Sequence, residues 1–192
     1  MRVAETEGGG LIPELQEIGA LRKVLPYGRY LTTMEELEKT YAPIDDANRR
    51  AIWRAFQEVT SVVRQAYGKL AAIWLGGSFI TSEEQPHDID VVYLVDENSY
   101  CKAIADPRGQ FVTQVLLRRN PVTDKLNSLV DAYLFPVPPT AIDNNYNYSA
   151  ARGYWDQFWS KARYEEGDSR WLYPAAGYLE VMIDGYLSLI HI

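Results

Sequence analysis

Asp88 and Asp90, flanking Ile89, are the residues of this chain best suited to chemistry. Side chains two apart on a strand share one face, with Cα atoms about 6.7 Å apart. Two hard oxygen donors so placed suit Mg²⁺, which completes its shell with water and substrate phosphates. Nine residues separate Asp88 from Gly76-Gly77-Ser78, which closes the apolar run Leu70 to Leu75. Glycines without Cβ atoms let backbone N–H groups approach a phosphate, and Ser78 adds a hydroxyl donor. Asp131 stands near the start of a further apolar run, Leu129 to Val137. On a neighbouring strand, about 4.8 Å away, it either completes a carboxylate trio or caps the strand start. Such a trio can hold two metal ions about 3.5–4 Å apart around an in-line displacement. Taken singly, Gly-Gly-Ser is a turn and Asp-x-Asp a solvated strand edge; together, with apolar runs on both sides, they favour a site.

Other chemistries find no support in the residues. No Gly-Lys-Ser/Thr follows the glycines, so there is no P-loop. His87 and His191 lack partners at ligand spacing, and no Gly-x-Ser-x-Gly elbow occurs. His87 is read as a bystander.

The elements that must position these residues follow from periodicity and punctuation. Thr33-Met34-Glu35-Glu36 is a capping box that opens a short helix. Asp45 to Tyr67 carries Ile52, Phe56, Val59, Val63 and Ala66 at helical spacing and stops at Gly68. Leu70 to Leu75, Ile89 to Val95 and Leu129 to Val137 read as strands. Asp106 to Gly109 reads as a turn, Phe111 to Arg119 as helix, Pro138 to Tyr148 as a loop and Ser149 to Arg163 as an aromatic helix. Glu165 to Ser169 is a polar turn; Tyr178 to Ile192 is apolar enough for a closing strand or helix. Residues 1–10 read as disordered, and Leu11 to Tyr30 as an irregular arm with one short helix. The expected class is α/β (α+β), a short mixed sheet flanked by helices, with residues 1–43 an N-terminal arm packed on a single unit, 44–192.

Composition narrows the setting. A length of 192 residues suffices for a core without disulfides, and the single Cys101 rules out both an internal disulfide and a cysteine-based zinc site. With no secretory signal and no run near the ~20 apolar residues of a membrane span, a cytoplasmic location is expected. The net charge of −7 counts against broad polyanion binding but not against a local basic patch.

The constellation Leu75-Gly76-Gly77-Ser78 followed by Asp88-Ile89-Asp90-Val91 resembles the signature of the DNA polymerase β nucleotidyltransferase superfamily. Beyond it, the chain is similar to a bacterial and phage family of uncharacterised nucleotidyltransferase-like proteins. That wider similarity includes Gly10-Leu11-Ile12-Pro13, Leu25-Pro26-Tyr27-Gly28, Met34-Glu35-Glu36-Leu37 and Gly77-Ser78-Phe79-Ile80-Thr81. It continues through Trp155, Arg163 and Gly177-Tyr178-Leu179-Glu180. The resemblance implies Mg²⁺-dependent (or Mn²⁺-dependent) transfer of a nucleoside monophosphate from a triphosphate to a hydroxyl on RNA, such as a tRNA end, on protein or on a small molecule. Asp88 and Asp90 would bind metal and phosphates, Asp131 would bind metal and orient or deprotonate the acceptor, and Gly76, Gly77 and Ser78 would meet phosphate. By analogy the setting is toxin–antitoxin or phage defence, with a partner protein; the rival expectation is an interaction protein that keeps the fold without catalysis. One departure stands out: a lysine is expected before the C-terminal Gly-apolar-Glu stretch, and Ala176 is there.

Helical geometry sorts the basic residues. In a continuous helix to Arg163, Arg152, Trp155, Trp159 and Arg163 fall within about 80° of one another, and Lys161 faces away. Arg163 then reaches phosphate or pairs with an acid; Arg152 is structural, while Arg118 and Arg119 are solvated or acceptor-facing. Tyr146 and Tyr148 either stack a base or pack their loop.

Overall fold

The computed structural model describes residues 12–18, 22–137, 146–164 and 169–186, without the side chains of 146–148. The expectations for the glycine-rich opening, the 138–145 loop, the Tyr146 and Tyr148 side chains, most of the 165–169 turn and His191 lie outside the described residues. The expected N-terminal irregular or helical arm is instead extended. Strand β1 (Gln16–Ile18) pairs antiparallel with β2 (Arg22–Val24), and β3 (Gly28–Thr32) joins the main sheet. Pro13, Pro26 and Gly28 break any helical stretch, while the backbone of β3 finds ladder partners on a strand from the far end of the chain.

Helix α1 (Met34–Tyr41) starts as the sequence predicts, with the Thr33 hydroxyl accepting from Glu36 N at 3.1 Å. Helix α2 (Ala47–Tyr67) is capped by Asp46, buries Ile52, Phe56, Val59 and Val63, and ends at Gly68 with φ +79°. Strand β4 (Ala72–Gly76) and β5 (Ile89–Asp96) follow, then an unforeseen helix α3 (Glu97–Ala103), capped by Asp96. The Asp106 to Gly109 segment is a helix start rather than a free turn. Asp106 accepts from Arg108 N and Gly109 N, and Pro107 opens α4 (Pro107–Leu116). That helix stops short of Arg119, since Arg118 has turned to φ +56°.

Strand β6 (Val130–Val137) and α5 (Tyr146–Trp159) come next, then the short antiparallel pair β7 (Ala162–Arg163) and β8 (Trp171–Leu172). The C-terminal segment resolves as a strand, β9 (Gly177–Met182). The five-stranded sheet runs β3-β9-β4-β5-β6, mixed as expected: β3 with β9 and β5 with β6 are parallel, the other pairs antiparallel. Ile73, Leu75, Val91, Tyr93 and Val95 pack with the apolar residues of α1, α2 and α4. On the other face, Trp74, Val92, Leu94 and Phe135 pack with Trp155 and Trp159 of α5. Among the described residues no helix is long and apolar enough to cross a membrane.

A buried arginine fixes the stretch after the glycine bend. Arg49 of α2 donates to the carbonyls of Phe79 (2.6 Å), Thr81 (3.2 Å), Glu83 (2.5 Å) and Tyr41 (3.3 Å). Removing it strands these carbonyls, so Arg49→Met is expected to lower stability by about 3 kcal/mol in urea unfolding. A change under about 0.5 kcal/mol would mean that the carbonyls find other donors.

Candidate active site

Strand register assembles the site. Gly76 of β4 lies opposite Asp90 of β5, and Asp90 lies opposite Asp131 of β6. The three therefore share the sheet face that carries Trp74 and Val92, the face packed by α5. Ile89, between the two aspartates, is fully buried on the opposite side. Asp131 thus sits on the strand next to that of Asp90.

The glycines have a further role beyond approach to phosphate. Gly77 has φ +75°, and a Cβ there would lie 1.7 Å from Asp90 Oδ2. A Cβ at Gly76 would come within 2.6 Å of the Trp159 ring. Both positions must be glycine because the chain's own carboxylate and indole fill the space a Cβ would need. Ser78 follows as the start of a single 3₁₀ turn, Ser78–Ile80, not of a longer helix.

Two cations face the carboxylates. Lys125 Nζ lies 2.9 Å from Asp88 Oδ2 and 3.7 Å from Asp131 Oδ1. Asp131 also accepts from Arg118 Nη2 and from Tyr133 OH (3.0 Å), and the Arg118 guanidinium lies 4.5 Å from the Tyr133 ring centroid. No hydrogen-bond donor among the described residues reaches Asp90. Burial, then the charges of Asp88 and Asp131, push its carboxyl up to about 7, with Lys125 opposing. Among the described residues no three His, Cys, Asp or Glu side chains gather as a metal-holding group. What fits a divalent ion is narrower than the expected trio: hard oxygens only, one of them unpartnered and destabilised by its neighbours' charge. Mg²⁺ commonly takes just one or two carboxylates when phosphates supply the rest.

Beside Asp90, Gly77 and Ser78 opens a cavity of about 640 Å³ whose walls include Arg22, Lys161, Arg163, Phe158, Trp159 and Trp171. Arg163 reaches it by a route other than the expected helix. Helix α5 ends at Trp159, the Ser160 carbonyl accepts from Ala175 N (2.8 Å) and Ala176 N (3.2 Å), and Arg163 lies in β7 with its guanidinium 5.0 Å from the Trp171 ring. The same early stop turns Lys161 into the cavity wall, correcting the expectation that it faces away. It stands one residue from the Ser160 carbonyl that binds Ala176, the position where a lysine was expected. Arg22 is shared with Glu83 at 3.2 Å, and Arg152 lies 4.0 Å from Asp156.

Sequence reasoning missed Lys125, turned Lys161 away and placed Arg118 in solvent or toward the acceptor, whereas Arg118 binds Asp131. A basic residue a few positions before the apolar strand that carries Asp131 was the available signal for Lys125; nothing in the spacing marks which acid it or Arg118 would meet.

A family sequence model matches residues 20–182, most of the chain. The chain belongs to DUF6932, a family of unknown function. The DUF6932 match runs to Met182, where β9 ends, and includes all three aspartates, the glycine bend and the cavity residues. No curated protein and no solved structure matches the chain.

Proposed function

We propose that this DUF6932 protein is a metal-dependent nucleotidyltransferase that moves a nucleoside monophosphate from a triphosphate to a hydroxyl. The observation that carries this is the register row Gly76, Asp90, Asp131 across three adjoining strands, beside a cavity walled by three cationic side chains. A volume of about 640 Å³ falls within the range of small-molecule sites, roughly 300–1,000 Å³. Lys161, Arg163 and Arg22, with Ser78, are the groups available to phosphates; Phe158 and Trp171 offer aromatic faces to a base. Asp88 and Asp90 would hold Mg²⁺ or Mn²⁺, with Asp131 beside them. Such an ion, when bound, neutralises charge on the phosphates and polarises the phosphorus under attack. The acceptor oxygen bonds to the α-phosphorus, the bond to the β-phosphate oxygen breaks, and pyrophosphate leaves with the electron pair. Asp131, fixed by Tyr133 and Arg118, orients the acceptor and takes the hydroxyl proton. The acceptor is RNA, protein or a small molecule, in a cytoplasmic toxin–antitoxin or phage-defence setting.

Calorimetry with Mg²⁺ and each triphosphate, then labelled-nucleotide transfer into total RNA and cell lysate, tests this. Expected are metal-dependent triphosphate binding and transfer that Asp88→Ala abolishes while the melting transition is kept. Full activity in that variant refutes the site. The second reading, an interaction protein without catalysis, draws on Ala176 and on the pairing of Asp88 and Asp131 with cations. It prevails if no metal-dependent triphosphate binding is found.

A further inference from the structure

Of the two cations at the carboxylates, one is wedged and one is exchangeable. The Arg118 guanidinium lies over the Tyr133 ring while bonding to Asp131, so it is held on two sides. Lys125 has no such clamp. Its backbone is pinned by Thr123, whose Oγ1 donates to the Lys125 carbonyl at 2.8 Å and accepts from Lys125 N at 3.3 Å. Thr123 N and Val122 N in turn donate to Asn120 Oδ1 at 3.1 and 2.9 Å. From this fixed base a four-carbon stem carries the ammonium to Asp88 and toward Asp131. Withdrawing it takes only rotation about side-chain bonds, because the ammonium is a point charge on a flexible stem.

We propose that Lys125 is a resident counter-ion of the carboxylate site and the group that a divalent cation must displace. The proposal rests on the nucleotidyltransferase reading, in which Asp88 and Asp90 hold the metal. The ammonium, 2.9 Å from Asp88 Oδ2, engages an oxygen that a bound ion would need. Two cations sharing those oxygens would stand within a few ångströms of each other and repel. Metal binding is therefore coupled to release of Lys125, which keeps affinity for the bare ion low. A triphosphate changes the balance, since its charge both recruits the metal and gives the freed ammonium an anionic partner. The site thus loads metal together with substrate.

The test is Mn²⁺ binding to the full chain, read by electron paramagnetic resonance of the free ion and by calorimetry. The proteins are wild type, Lys125→Met, Lys125→Gln and Arg119→Met. Arg119 is exposed and makes no side-chain contact with the carboxylates, so its variant carries the same charge change without the bridge. Both Lys125 variants are expected to bind Mn²⁺ at least tenfold more tightly than wild type, with Arg119→Met within twofold. Having two Lys125 variants covers the case in which one does not fold. Equal or weaker Mn²⁺ binding on loss of Lys125 overturns this inference alone, as does equal tightening by Arg119→Met. Absence of Mn²⁺ binding in every protein, with triphosphate also present, overturns the nucleotidyltransferase reading together with it.

Discussion

The Asp90→Asn protein is expected to be more stable than wild type at pH 8, in chelator, and inactive in transfer. Asp90 ionises against burial and against Asp88 and Asp131, which moves its carboxyl from 3.8 to about 7. The folded state therefore binds the proton more tightly than the unfolded chain. The protonated carboxyl's full contribution is present below about pH 4 and is lost as pH rises through about 7, at about 1.4 kcal/mol per unit. At pH 8 the ionised group carries a penalty on the order of 4 kcal/mol. Asparagine keeps the shape and removes the charge. It should recover about 2 kcal/mol, seen as a higher urea midpoint, with the gain vanishing as pH falls toward 4. Stability bought with lost chemistry is the mark of a group kept for function. Equal or lower stability of the variant at pH 8 would contradict the placement of Asp90.

Gly77→Ala should nearly silence the protein while leaving it folded. A non-glycine residue at φ +75° and ψ −168° costs about 1–3 kcal/mol. The larger effect is steric: a methyl 1.7 Å from Asp90 Oδ2 cannot coexist with that carboxylate, which must rotate away from its place opposite Gly76 and Asp131. Transfer is expected to fall by more than about 100-fold, with a stability loss of about 1–3 kcal/mol. Gly68→Ala is the control for a positive-φ glycine that has room for a methyl group. Its φ is +79°, yet nothing lies within 4 Å of the added atom, so it should lose about 1 kcal/mol and keep its activity. Similar activity losses in both variants would show that backbone strain, not displacement of Asp90, is responsible.

The parts of the fold that were legible are those whose cause is local. Thr33 announces its helix because the cap bonds three residues ahead, and Gly68 announces the end of the next by its positive φ. The apolar runs of β4 and β5 are buried at nearly every position and that of β6 at five of eight, and β5 and β6 turn an aspartate to the same face at their start. Elements whose cause is distant were not legible. Strand β3 exists because Gly28 to Thr32 pair with Gly177 to Val181, nearly the length of the chain away. Helix α3 was hidden because its cap, Asp96, is also the last residue of a strand, and its first turn, Glu97-Asn98-Ser99, is polar. The end of α5 depends on Ala175 and Ala176 engaging the Ser160 carbonyl, so no periodicity could show that Lys161 and Arg163 leave the helix axis. Lys125 meets an acid 37 positions upstream from a loop without any repeat.

The placement of the indoles has a practical consequence. Trp53 and Trp74 are sealed in the core, Trp159 forms a wall of the cavity against Gly76, and Trp171 stands 52% exposed at its rim. Two of the five tryptophans therefore border the space beside Asp90, one dry and one wet. A molecule entering there strips water from Trp171 and changes what Trp159 touches, while the sealed pair stays constant as an internal reference. The chain carries its own optical gauge of occupancy, so emission spectra can follow filling of the cavity without a label and before any product is known.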